Sequence, residues 1–274
     1  SAAGFNAGVP PLAIEKEMAI PGPAGDLRAL LFATASDEAE RRPVVLHLHG
    51  GGFVLFKPEV TARISRAIAT ASGAIVVSLD YRRAPEDPYP AALDDCIAAY
   101  RWLRANAASI GGDGSRIALA GDSAGGNLVA AAPLRLAAEG EAPPEAVVLI
   151  SAWLDLTMSS PSSRRYGPDD PLIDDEVLSF WRSCYMPDAS RWAEPLLSPL
   201  NGDLASYPPL CVVAGAIDPF CDEGAAFAEK ARAAGVDAEF HRYEGMPHWF
   251  PVFPATADLT DYAERVGSFL RRVL

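Results

Sequence analysis

Arg116-Ile117-Ala118-Leu119-Ala120-Gly121-Asp122-Ser123-Ala124-Gly125-Gly126-Asn127 is the stretch from which the fold can be read. Its first half is a short apolar run of the kind that forms a buried strand. A helix is expected from about Ser123. Between the two lies Gly121-Asp122-Ser123-Ala124-Gly125, a G-x-S-x-G pattern at the junction where that pattern has a physical meaning. A tight strand–turn–helix elbow holds the serine hydroxyl clear of the sheet, and glycines allow neighbouring backbone to approach the turn. The helix start also aims unsatisfied N–H groups, that of Ala124 included, at any negative charge forming beside Ser123.

Outward from this elbow the same rhythm repeats. Val44 to His49, Ala74 to Asp80, Ala146 to Ser151, Leu210 to Gly215 and Ala238 to Tyr243 read as strands. Helices are expected over Thr61–Ser72 (closed by Gly73), Tyr89–Ala105, Glu223–Ala234 (ended by Gly235) and Ala255–Leu274. Strand–helix alternation with nearly continuous apolar strands means an α/β chain: a mostly parallel sheet with helices on both faces. Pro133 falls inside the helix after Ser123. Proline there costs about 3 kcal/mol, so a kink or an early end is expected over Val129–Pro133.

One stretch breaks the rhythm. Between Trp153 and Pro209 the chain is rich in Pro, Ser, Asp and Trp, with one helical pattern at about Asp174–Met186. Simple connections run to roughly 2–6 residues, so this reads as a cap inserted over one end of the sheet. The expected organisation is a core over 23–153, an inserted cap over 154–207 and a core over 208–274. Trp153, Phe180, Trp181, Tyr185 and Trp192 either line a pocket or hold the cap onto the core.

Ser123 needs partners. His49-Gly50-Gly51-Gly52-Phe53 follows the first buried strand, and three consecutive glycines weaken a fold unless their backbone is used. The N–H groups of Gly51 and Gly52 can converge with that of Ala124 to hold an oxyanion. His49 reads as a loop-ordering residue and His47 as part of the sheet packing. The base is expected in Gly245-Met246-Pro247-His248, a loop after the last strand, because His241 lies within that strand. The orienting acid is expected to be Asp218, which Pro219 would stiffen; Asp222, Asp155 and Asp80 are alternatives. The order Ser, Asp, His is the one this architecture uses.

Composition narrows the partners. The chain has 274 residues, half of them hydrophobic, enough for a real core. Its formal net charge of −13 disfavours nucleic acid and anionic lipid. Cys96, Cys184, Cys211 and Cys221 are widely spaced and read as free, buried thiols. Neither zinc-ligand spacing nor a phosphate-binding G-x-x-x-x-G-K occurs, so no metal or organic cofactor is expected. No apolar run reaches the roughly 18 residues of a membrane span. Residues 1–11 show no signal-peptide pattern, which sets cytoplasmic localisation as the expectation.

Together the motifs resemble the hormone-sensitive-lipase-like group of α/β-hydrolases, the bacterial esterases and lipases. The resemblance rests on His49-Gly50-Gly51-Gly52-Phe53, Asp80-Tyr81-Arg82-Arg83-Ala84-Pro85-Glu86, Gly121-Asp122-Ser123-Ala124-Gly125-Gly126-Asn127, Asp218-Pro219-Phe220-Cys221-Asp222-Glu223-Gly224 and Gly245-Met246-Pro247-His248. It implies Ser123 as nucleophile, His248 as base, Asp218 as its partner, and an oxyanion hole from Gly51, Gly52 and Ala124. His49, Gly50, Gly121, Asp122 and Gly125 would support them. It implies hydrolysis of short- to medium-chain carboxylic esters, a cap to which an N-terminal segment over 1–22 contributes beside the insertion, and a homodimer through elements near the C-terminal strand. Arg83 and Cys221 stand where the family commonly carries leucine and arginine.

Overall fold

Runs such as Ile75-Val76-Val77-Ser78-Leu79 and Ala146-Val147-Val148-Leu149-Ile150 are buried at every position. A strand buried on both faces must lie inside a sheet that is covered on both sides. In the computed structural model, which describes residues 9–35, 41–170, 172–253 and 257–274 together with Gly4 and Asn6, these runs form the middle of one eight-stranded sheet. The strands are β1 (Ile14–Gly22), β2 (Gly25–Ala33), β3 (Arg42–Leu48), β4 (Ile75–Leu79), β5 (Gly112–Asp122), β6 (Ala146–Ile150), β7 (Leu210–Gly215) and β8 (Ala238–Tyr243). Their order across the sheet is β1-β2-β4-β3-β5-β6-β7-β8. β1 and β2 pair antiparallel, as do β2 and β4; every pairing from β4 to β8 is parallel.

The helices are α1 (Ala62–Ser72), α2 (Ala91–Asn106), α3 (Ala124–Ala138), α4 (Pro161–Tyr166), α5 (Asp175–Tyr185), α6 (Cys221–Ala233) and α7 (Ala257–Val273). The pleat divides the core between them. Val45, Val76, Ala118 and Val148 pack with Ile64 and Ile68 of α1 and with Tyr262, Val266 and Phe269 of α7. Val44, Leu46, Val77 and Leu119 face the other way, onto Leu93 of α2, Leu128 of α3 and Phe227 of α6. This is the mostly parallel, doubly covered sheet expected from the sequence.

Three expectations change. Residues Ile14–Gly22 were expected in a cap; they form the edge strand of the sheet, paired along their length with β2. β1 is largely solvent-exposed, so it lacks the apolar signature of the inner strands. The helix carrying Pro133 neither ends nor shortens at it, but continues to Ala138. Ala124–Pro133 is wholly buried, and packing of that face outweighs the local cost. The Tyr207 hydroxyl also donates to the Ala130 carbonyl at 3.0 Å, tying this stretch of the helix to the segment before β7. Finally, residues 154–207 hold α4 as well as the anticipated α5. Ser160 caps α4 at 3.1 Å to the Ser163 N–H, and Asp174 caps α5 at 2.8 Å to the Val177 N–H. Residues 255–256 of the expected last helix lie outside the described residues.

The elbow depends on close backbone approach. A Cβ on Gly125 would lie 2.1 Å from the Leu48 carbonyl oxygen, so only glycine lets α3 start against the end of β3. Gly125→Ala should therefore destabilise the fold by about 1–3 kcal/mol or more. Thermal unfolding checks this, and an unchanged melting temperature would contradict it.

Candidate active site

Ser123 occupies the single position between β5 and α3, with φ 53° and ψ −121°. A non-glycine residue at positive φ is strained, and strain of this kind persists where surrounding structure enforces it. Phe53, Phe56, Ser151 and Trp249 share that feature. All four belong to loops that converge on Ser123 at the C-terminal ends of the strands.

His248 and Asp218 reach the same point from the loops after β8 and β7. His248 Nε2 lies 3.1 Å from Ser123 Oγ, and His248 Nδ1 lies 3.0 Å from Asp218 Oδ1. A carboxylate only accepts, so Nδ1 carries the hydrogen and Nε2 is left to accept from the serine hydroxyl. The Phe220 N–H also donates to Asp218 Oδ1 at 2.8 Å. The Phe220 ring meets His248 edge-on at 5.1 Å and stacks on Trp153 at 5.5 Å. Burial of all three is near complete, with Ser123 5% exposed, His248 2% and Asp218 not at all.

The alternative acids lie elsewhere. Asp222 accepts from the Ser162 N–H at 2.8 Å, Asp155 binds Thr157 and Ser159, and Asp80 binds Arg83. His241 stays on β8, paired with Glu239 at 3.0 Å.

The glycine loop lies opposite His248. Gly51 has φ +120° and Gly52 φ +61°, and no described hydrogen bond takes up the N–H of Gly51, Gly52 or Ala124. His49 orders this loop: its Nδ1 donates to the Gly50 carbonyl at 2.7 Å and its ring stacks on Tyr81 at 4.4 Å. Burial pushes the His49 imidazole down to about 4, so it is neutral near pH 7. The Tyr81 hydroxyl in turn donates to the His49 carbonyl at 2.7 Å. Arg82, beside it, is clamped to Asp95 of α2 at 2.7 Å.

Asp122 joins these loops. Its Oδ2 accepts from the Gly50 N–H at 2.7 Å and from Trp249 Nε1 at 2.6 Å, while its Oδ1 accepts from His47 Nε2 at 3.0 Å. His47 Nδ1 is then free to accept from Ser65 Oγ at 3.0 Å. His47 is therefore a buried polar link from the elbow to α1, rather than packing alone. The sequence hinted at Trp249 only through its place beside His248.

A cavity of about 70 Å³ opens onto Ser123 and His248, lined also by Gly51, Phe56, Leu172, Ile173, Trp181 and Trp249. Trp181 of α5 lies so close over Gly52 that a Cβ there would fall 2.1 Å from its ring. The other aromatics of residues 153–192 divide. Trp153 and Tyr185 are buried against Phe53, Trp192 stacks on the Arg182 guanidinium, and Phe180 is exposed. Two larger cavities, of about 530 and 590 Å³, lie beside α1 and α7 and beside α3, and hold no member of the Ser123 constellation. Cys211, Glu239 and His241 bring donor atoms within 4.8 Å of one another. Burial pushes the Cys211 thiol far up and Glu239 is already paired with Arg272, so that cluster is held as a thiol and an ion pair. All four cysteines are free, with Cys184 only half-buried. Among the described residues no helix is long and apolar enough to cross a membrane.

Residues 45–252 match the model of a protein family described as having the alpha/beta hydrolase fold. The chain is similar to a carboxylesterase, NlhH, of Mycobacterium tuberculosis: 41% identical over 228 residues, 80% of this chain and 70% of the relative. It is similar to the structure of a hyperthermophilic esterase of Pyrobaculum calidifontis, with a TM-score of 0.93 at 33% identity, covering 100% of this chain and 90% of that one. An esterase of the bacterial hormone-sensitive lipase family matches with a TM-score of 0.83 at 36% identity, over 97% of this chain and 86% of that one.

The Asp122 contacts predict a graded loss. Asp122→Ala should lower kcat roughly 10²-fold, because it frees the glycine loop and the Trp249 side chain together. Asp122→Asn, which keeps the shape and one acceptor, should lose less. Steady-state turnover of a chromogenic ester by folded variants checks this; equal activity in all three proteins would contradict it.

Proposed function

Because the chain belongs to the hormone-sensitive-lipase-like family of α/β-hydrolases and is a carboxylic ester hydrolase, we propose that it cleaves short- to medium-chain esters with Ser123 as nucleophile, His248 as base and Asp218 as orienting acid. The observation that carries this reading is the Ser123–His248–Asp218 array at 3.1 and 3.0 Å, at the floor of a cavity of about 70 Å³.

The chemistry follows from the contacts. Ser123 Oγ attacks the ester carbonyl while its proton passes to His248 Nε2. The imidazolium that forms is stabilised by Asp218, which already accepts its Nδ1–H. Negative charge developing on the carbonyl oxygen is met by the N–H groups of Gly51, Gly52 and Ala124. Each such donor is worth roughly 2.7–4 kcal/mol in the transition state. His248 returns the proton to the departing alcohol. A water molecule enters, loses a proton to His248 and attacks the acyl-enzyme; the acid then leaves and Ser123 regains its proton. Every step uses groups already within hydrogen-bond reach, and none needs a metal or organic cofactor.

Acyl length follows from the roof. Sites for drug-sized ligands span roughly 300–1,000 Å³, whereas the space beside Ser123 is about 70 Å³ and is closed by Trp181, Leu172 and Ile173. That suits a short acyl group. Residues 154–207 act as the cap that supplies this roof. A homodimer and a cytoplasmic location stay part of this reading; light scattering and fractionation test them.

Ser123→Ala should lower kcat by roughly 10⁶-fold. Across p-nitrophenyl esters, the wild type should peak at short chains and Trp181→Ala should move the peak to longer ones. A wild-type optimum at long-chain esters, or an unmoved optimum in the variant, would contradict the acyl-pocket reading.

A further inference from the structure

Glu223 lies in the first turn of α6, five positions after Asp218, and its side chain is fully buried. Its Oε2 accepts from the N–H groups of Leu154 and Asp155 at 2.8 and 3.0 Å. Its Oε1 is buried and has no hydrogen-bond partner among the described residues. Asp218 shows the same asymmetry. Oδ1 takes both His248 and Phe220, and Oδ2 is buried with no partner among the described residues. A buried polar atom left unpaired costs about 1–3 kcal/mol, more when charged. Two such atoms on neighbouring acids share a remedy: one hydrogen between them.

Three acids come from adjoining elements at this end of the sheet. Asp155 approaches from the loop after β6, Asp218 from the loop after β7 and Glu223 from α6. The charges acting most strongly on Glu223 are the two other carboxylates. Like charges in a buried site cannot all ionise cheaply. Asp155 is held below the ordinary carboxylate range by the hydroxyls and N–H groups of Thr157 and Ser159. Asp218 receives the His248 Nδ1–H and the Phe220 N–H on Oδ1. Glu223 has only two donors on one oxygen, and burial pushes its carboxyl well above the ordinary range.

We propose that Glu223 is a neutral carboxylic acid in the resting enzyme and donates its Oε1–H to Asp218 Oδ2, directly or through one buried water. This rests on Asp218 being the partner of His248. Glu223 touches neither substrate nor reacting atoms; it is a positioning residue that acts through Asp218. The O–H···O bond holds the Asp218 rotamer with Oδ1 turned to His248. It also keeps a second full negative charge away from the Asp218–His248 pair, so the imidazole remains able to release its proton.

Infrared difference spectroscopy of the whole protein near neutral pH reads the proton directly. The wild type should show a carboxylic-acid C=O band that Glu223→Gln removes and Asp218→Asn shifts. Absence of the band, or a band unmoved by Asp218→Asn, would overturn the proposal. Kinetics give a second readout. Glu223→Gln keeps a donor of the same shape, so it should hold the acid limb of kcat/KM at the wild-type pH and retain about ten-fold more kcat than Glu223→Leu. A limb displaced to lower pH in Glu223→Gln would mean that a negative charge had been removed, and would also overturn it. Repeating the infrared measurement on Ser123→Ala separates this proposal from the triad reading, since the band reports Glu223 whatever Ser123 does.

Discussion

The carboxylate of Asp122 is fully buried and takes hydrogens from three segments far apart in the chain: the Gly50 N–H, the Trp249 indole and the His47 ring. These belong to the glycine loop, the His248 loop and the strand β3. A buried charged acceptor is costly unless its donors are in place, and once they are, it resists displacement of any of them. The elbow at Ser123 therefore does more than present a hydroxyl. Its neighbouring side chain draws the glycine loop and the His248 loop to fixed positions around that hydroxyl. Catalytic geometry is sensitive to errors on the order of 0.5 Å, so such a shared anchor serves the site better than separate loop packing.

The sheet makes this anchor possible. Parallel strands β3, β5, β6, β7 and β8 all deliver their C-terminal ends to one rim, and ligands of open α/β sheets bind outside such rims. Ser123, Asp218 and His248 come from the ends of β5, β7 and β8. Strained φ values at Phe53, Phe56, Ser123, Ser151 and Trp249 collect on the same rim. Stability from the two cores on either face offsets that local cost. Residues 154–207 then pack Tyr185 onto Phe53 and leave Trp181 over the glycine loop.

Much of this was legible in the sequence where the chemistry is local. The inner strands announced themselves as continuous apolar runs. Gly121-Asp122-Ser123-Ala124-Gly125 and His49-Gly50-Gly51-Gly52 carry backbone requirements that few other contexts impose. His248 and Asp218 followed from their places in loops at strand ends. The hairpin of β1 and β2 was not legible, because β1 is an exposed edge with little apolar periodicity. Continuation of α3 through Pro133 depends on burial that no local pattern records. The Asp122–Trp249 bond spans 127 positions, and the unpaired oxygens of Asp218 and Glu223 exist only once two loops and a helix have packed. The split among the aromatics, with Trp181 lining the pocket and Trp153 buried against Phe53 and Phe220, is likewise a product of packing.

We propose that this network leaves one serine hydroxyl, that of Ser123, as the activated nucleophile. Reaction with a fluorophosphonate, followed by peptide mapping in a mass spectrometer, tests it most directly. One adduct per chain is expected, on the peptide carrying Ser123, with ester hydrolysis lost in step with labelling. Labelling of a different residue, or full hydrolysis by protein whose Ser123 is fully labelled, would contradict it.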